Sequence, residues 1–146
     1  MPECRISVET QPNAKQINFV DEQLYQFNVG KIGEYQYTPL FLFLHNPQNI
    51  VVGGLDGFMG LGWLNIGTLW VTEKLRGEGY GRKLVQLAEK EAIKYSCVNA
   101  YLFTYSFQNP EFYQHLGYEV FGKLEGFLPG HSRYFLKKTL NKIDKI

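Results

Sequence analysis

The sequence predicts a mixed α/β (α+β) protein built on one sheet. Three observations carry this. Short apolar or alternating runs outnumber helical stripes, in the order β-α-β-β-β-α-β-α-β-β. That order has too few helices for a doubly wound parallel sheet. A glycine-rich turn, Arg76-Gly77-Glu78-Gly79-Tyr80-Gly81-Arg82-Lys83, joins the apolar run Leu69-Trp70-Val71 to a helix-patterned segment. At 146 residues, 45% hydrophobic and 20% charged, the chain suffices for one packed domain over residues 1–146.

Each element has its own signal. Arg5 to Glu9 alternates Ile6 and Val8 with polar residues, as a strand does. Asn13 is a helix cap, and Ile17, Val20, Leu24 and Phe27 follow at near-helical spacing until Gly30 and Gly33. Tyr35 to Leu44 reads as a strand with Pro39 at an edge or bulge. Asn46-Pro47-Gln48-Asn49 is a turn, and Ile50 to Leu55 pairs back as a hairpin. Asp56-Gly57 and Gly60 read as a further turn or irregular loop, and Gly62 to Val71 as the strand that enters the glycine loop.

Leu84, Leu87, Ala88, Ala92 and Tyr95 form the next helical stripe, and Ala100 to Ser106 the next strand. Tyr101, Phe103, Tyr105 and Phe107 alternate there and are expected in the core. Asn109-Pro110-Glu111 combines a cap, a proline at the first helical position and an acid in the first turn; Gly117 stops this short helix. Tyr118 to Leu124 and Arg133 to Leu140 are the last strands.

Composition excludes several function classes. A net charge of +1, without a basic patch, gives no footprint for nucleic acid or an anionic membrane; Lys137, Lys138, Lys142 and Lys145 read as a solvated tail. The longest strongly apolar run, Leu40 to Leu44, is too short to span a bilayer, and the N-terminus lacks a signal-peptide core. Cys4 and Cys97 have neither disulfide nor metal-ligand spacing, so no metal is expected and a reducing cytoplasm fits.

The glycine loop is neither a Walker loop nor the G-x-G-x-x-G dinucleotide fingerprint, because Gly77, Gly79 and Gly81 are evenly spaced and no Gly-Lys-Ser/Thr ends it. Free N–H groups at a helix start, approached through glycine, suit a phosphate or pyrophosphate. Arg76, Gly79 and Gly81 match Q/R-x-x-G-x-G/A, and Asn109-Pro110-Glu111-Phe112-Tyr113-Gln114-His115-Leu116-Gly117-Tyr118 matches N/A-x-x-F-Y-x-x-x-G-F/Y. Both motifs, in this order, resemble the GNAT (GCN5-related) N-acetyltransferase superfamily, in its small bacterial type. The resemblance runs from about Ile50 to Leu140.

It implies a mostly antiparallel central sheet of six to seven strands, flanked by helices and splayed at the fourth strand. It implies acetyl-CoA as co-substrate and direct transfer of acetyl to a primary amine of a small molecule or peptide, without a covalent acyl-enzyme. Leu69, Trp70 and Val71 would meet the pantetheine arm and thioester carbonyl. Arg76, Gly77, Glu78, Gly79, Tyr80, Gly81 and Arg82 would hold the pyrophosphate. Tyr113 would be the general acid, because a phenol stays protonated at neutral pH and can donate to a leaving thiolate. Asn109 has two available roles, bonding the cofactor arm or only capping its helix. Phe112 reads as core packing. A homodimer is common in the family.

The general base is not singled out. Trp63 to Val71 contains no acid where a strand carboxylate is one familiar solution. Asp56, Glu34, Glu73, Glu119, His45 and His131 are candidates, as is a water chain, and His131 also stands where the family's acceptor groove is bordered. The missing acid keeps a second reading open, a non-catalytic acyl-CoA-binding module. A third is a structural domain whose loop binds nothing.

Overall fold

The computed structural model describes residues 3–140, and the described chain divides into two compact units, one ending at Tyr35 and one beginning at Gln36.

In the first unit, residues 5–9 form no strand, contrary to the alternation of Ile6 and Val8, which are both exposed. A strand needs a ladder partner for its N–H and C=O groups, and alternation alone does not supply one. Helix α1 spans Ala14–Ile32, starting where expected: the Asn13 side chain accepts from the Lys15 N–H at 2.7 Å. It runs through Gly30 and stops at Gly33, whose φ of 85° breaks it and whose N–H donates to the Val29 carbonyl. Beyond it, the Tyr25 hydroxyl donates to the Tyr35 carbonyl, and Asn28 donates to the Tyr35 hydroxyl.

The second unit holds a six-stranded sheet in the order β1-β2-β3-β4-β6-β5. Its strands are β1 Thr38–His45, β2 Val51–Gly60, β3 Trp63–Val71, β4 Asn99–Tyr105, β5 Glu119–Glu125 and β6 Ser132–Thr139. Helix α2 spans Tyr80–Lys94 and α3 Pro110–His115. Every pairing is antiparallel except β3 with β4. Pro39 lies on the edge strand β1, where its missing N–H costs no ladder bond.

The turn expected around Asp56-Gly57 and Gly60 is a correction. These residues lie inside β2, and the chain reverses at Leu61 and Gly62, both with positive φ (52° and 87°). The strand glycines serve close approach instead: a Cβ at Gly54 would lie 2.8 Å from the Leu42 carbonyl oxygen, and one at Gly57 would overlap the Asn65 carbonyl.

One sheet face packs on α2. Leu42, Leu55, Met59, Leu64, Ile66, Ala100, Leu102 and Leu136 meet Leu84, Val85, Ala88 and Ala92, and all are buried. The expected aromatic core of β4 is also corrected. Ala100, Leu102 and Thr104 are the buried set, whereas Phe103 is 47% exposed on the opposite face. Small and branched side chains fit beneath α2; the bulkier rings take the other side of the pleat.

Buried among these is a charged contact. Glu89 on α2 accepts from the Tyr118 hydroxyl at 2.8 Å and from Lys138 Nζ at 3.0 and 3.1 Å. Lys138 is therefore not part of a solvated tail; Lys142 and Lys145 lie outside the described residues. Removing one partner of a buried pair leaves an uncompensated charge, at a cost of about 3–5 kcal/mol. Glu89→Ala is expected to lower the melting temperature by roughly 10 °C. Combining Glu89→Leu with Lys138→Met should restore much of the loss; a Glu89→Ala protein melting with the wild type would show that the pair contributes nothing.

Candidate active site

The sheet opens where β3 and β4 part. They pair in parallel only from Trp63 with Asn99 to Ile66 with Leu102. Gly67 is the extra residue of a bulge against β2, between Asp56 opposite Thr68 and Gly57 opposite Ile66. From there to Val71, β3 keeps its bonds to β2 and has no partner toward β4. This is the expected splay. The absent N-terminal strand makes it the third strand of the chain rather than the fourth.

A cleft of about 830 Å³ fills the fork. Leu69, Trp70, Val71, Arg76, Gly77, Gly79, Tyr80, Gly81, Arg82, Asn109 and Tyr113 all line it, and of the residues expected there only Glu78 does not. Gly67, Thr68, Leu75, Phe103, Thr104, Phe107 and Gln108 line it without having been singled out from the sequence as cofactor contacts, and Phe112 both lines the cleft and packs on the core. Leu75, Phe107 and Gln108 stand beside the two motifs, which is a legible signal; Gly67, Thr68, Phe103 and Thr104 carry none.

The loop geometry follows from its residues. After Val71, a 3₁₀ turn at Glu73–Leu75 leads to Arg76, whose Nε donates to the Val71 carbonyl at 2.9 Å and ties the loop to the strand it leaves. Gly77 and Gly79 have φ of 83° and 90°. A Cβ would meet nothing within 4 Å at either, so conformation and not space demands glycine. At Gly81 the reason is space: a Cβ would lie 3.2 Å from Phe112 Cζ. Gly79 caps α2 without a side-chain bond, and the first helical bond runs from Lys83 N–H to the Gly79 carbonyl. The N–H groups of Tyr80, Gly81 and Arg82 precede that first bond and form a natural anion seat.

On the opposite wall, Asn109 caps α3 by accepting from the Phe112 N–H at 3.3 Å. Its first turn delivers Tyr113, whose ring lies edge-on to Phe112 and Tyr118. The Tyr118 N–H donates to the Tyr113 carbonyl, closing the helix end, and Gly117 carries the φ of 97° that this requires. Burial pushes the Tyr113 hydroxyl up to about 12. Burial, then the Glu89 charge and hydrogen bond, raise Tyr118 as well.

The candidate bases are dispersed. Glu34 belongs to the first unit, Glu73 is exposed in the 3₁₀ turn, and Glu119 is exposed on β5. His45 ends β1 against the Phe43 ring. His131 Nδ1 lies 3.4 Å from Ser106 Oγ, and its ring meets Phe107. None of them lines the cleft. Asp56 stands against the cleft wall, its Oδ1 2.8 Å from where a Cβ on cleft-lining Gly67 would lie. Among the described residues, no group of three or more His, Cys, Asp or Glu could hold a metal, and no helix is long and apolar enough to cross a membrane.

Residues 38–120 match the family described as acetyltransferase (GNAT) domain. The chain belongs to the GNAT acetyltransferase family. This GNAT chain is 34% identical over 119 residues to acetyltransferase Atu2258 of Agrobacterium fabrum, covering 82% of this chain and 87% of that one. It is 35% identical over 91 residues to blasticidin-S acetyltransferase of Streptomyces morookaense, covering 62% of this chain and 67% of that one. A crystal structure of an acetyltransferase from Bacillus cereus superposes with a TM-score of 0.85 at 31% identity, covering 94% of this chain and 98% of that one. The GNAT fold of this chain is thus shared with a solved relative over nearly its whole length.

Proposed function

We propose that this acetyltransferase moves acetyl from acetyl-CoA directly to the primary amine of a small molecule or peptide. The observation that carries the reading is the parted β3–β4 fork, with a glycine-shaped helix start on one wall and Tyr113 on the other. The loop suits the diphosphate: it offers N–H groups at Tyr80, Gly81 and Arg82, and no side chain at Gly77, Gly79 or Gly81 obstructs approach. Backbone donors of β3 freed by the splay would polarise the thioester carbonyl, an arrangement typically worth about 3–4 kcal/mol. The amine nitrogen forms a bond to that carbonyl carbon, the C–S bond breaks, and the departing thiolate takes the Tyr113 hydroxyl proton. The surplus proton of the amine passes to Asp56, directly or through one water, over the bare Cα of Gly67. Similarity to blasticidin-S acetyltransferase supports a small-molecule acceptor. The cytoplasm, where acetyl-CoA is made and used, is the proposed compartment.

The test is CoA release measured across polyamines, aminoglycosides, nucleoside antibiotics, amino acids and peptides. Turnover with any amine supports transfer. Stabilisation by acetyl-CoA, about 2.7 kcal/mol at roughly 100 times Kd, without turnover on any acceptor favours a binding module. Asp56→Asn is expected to slow turnover about 100-fold; an unchanged rate would dismiss Asp56 as base.

A further inference from the structure

Beyond the fork, on the sheet face away from α2, stands an arginine without an acid. Arg133 lies opposite Tyr105 in the β4–β6 register. Its guanidinium carbon is 4.2 Å from the Phe103 ring centroid, 4.7 Å from that of Phe127 and 4.9 Å from that of Tyr105. One Nη donates to the Tyr105 hydroxyl, and Nε is buried with no acceptor. No carboxylate pairs with it among the described residues: the ion pairs there are Lys94 with Glu91 and Lys138 with Glu89.

An unmade bond on a buried donor is destabilising. Aromatic stacking offsets some of this, yet a leucine or methionine would fill the same box with no orphan. What arginine adds is a planar cation that matches a carboxylate with paired N–H donors. Aromatic walls exclude water and strengthen that attraction.

The box adjoins the cleft. Phe103, which carries the guanidinium, lines the cleft along with Phe107. Phe103 also follows Leu102, the last β4 residue paired to β3, just as Gly67 follows Ile66. Phe103 is the residue that box and cleft share; Arg133, Tyr105 and Phe127 stand behind it and are not themselves part of the cleft lining.

We propose that Arg133, in its box of Phe103, Tyr105 and Phe127, is the acceptor subsite for a carboxylate, so that the substrate is an amine that also bears a carboxylate. This rests on the transfer reading above and narrows its substrate class.

The experiment compares matched acceptors, lysine, β-alanine and the dipeptide Gly-Gly against their carboxamides, on the wild type, Arg133→Lys and Arg133→Met. Circular dichroism melts establish that each variant is folded. The acids should be preferred at least about tenfold in kcat/KM, through KM, as a charge-assisted hydrogen bond supplies. Arg133→Met should level acids and amides while leaving the KM for acetyl-CoA unchanged, and Arg133→Lys should keep part of the preference. Equal rates for acids and amides on the wild type, or an equal loss of both in Arg133→Met, would overturn the subsite. A preference for phosphoethanolamine over every carboxylate would overturn its assignment to carboxylates. If no amine is turned over, the same pairs are titrated onto the CoA-loaded protein by NMR. Acids binding the wild type and not Arg133→Met would then uphold the subsite while the transfer reading falls; no difference would sink the subsite too.

Discussion

Tyr113→Phe should lower kcat about 100-fold or more while leaving acetyl-CoA affinity within about twofold, since general acid catalysis contributes 10²–10⁴. The substitution removes one hydroxyl and keeps the ring that packs on Phe112 and Tyr118, so α3 and the cleft wall should persist. The pH dependence follows from burial. With its hydroxyl pushed up to about 12, Tyr113 stays protonated, and able to donate, through the whole working range. Wild-type kcat should therefore show no alkaline fall between about pH 8 and 10 from this group. Pre-steady-state CoA release with a saturating acceptor measures the step. A Phe variant as fast as the wild type would take Tyr113 out of the chemistry.

Gly81→Leu should weaken acetyl-CoA binding by about 100-fold. The first added atom already stands 3.2 Å from Phe112 Cζ, and the rest of the side chain would have to enter the mouth of the cleft. Gly79→Val should act by another route. Its Cβ has open space, but φ of 90° is hostile to a β-branched residue, so the first turn of α2 would shift and its N–H groups would lose their aim. Calorimetric titration with acetyl-CoA, set beside thermal melts of each variant, separates lost binding from general damage. Unchanged affinity in both variants would mean the diphosphate lies elsewhere.

Those residues were legible because their signals are local. Glycine at a positive-φ position, a capping asparagine and a proline at the first helical position each act within a few residues. Gly79 and Asn109 were found that way, Tyr113 through the resemblance of its motif to the family's, and all three line the cleft. Phe103 and Arg133 were not, because period-two alternation says which residues share a face and not which face is covered. The turn wrongly expected at Asp56-Gly57 failed for a related reason. Glycine marks turns and close strand contacts alike, and only the neighbouring strand tells them apart.

By itself, the sequence determined the family, the order of strands and helices from Tyr35 onward, the glycine loop and the tyrosine helix. Tertiary structure alone decided that β3 leaves β4 after Ile66, that Asp56 lies against Gly67, that Lys138 meets Glu89 across 49 residues, and that Arg133 has rings instead of an acid for company. The reason is the range of the forces. Backbone preference and capping are settled between neighbours along the chain, whereas ladder register, burial and charge pairing are settled between segments that only folding brings together.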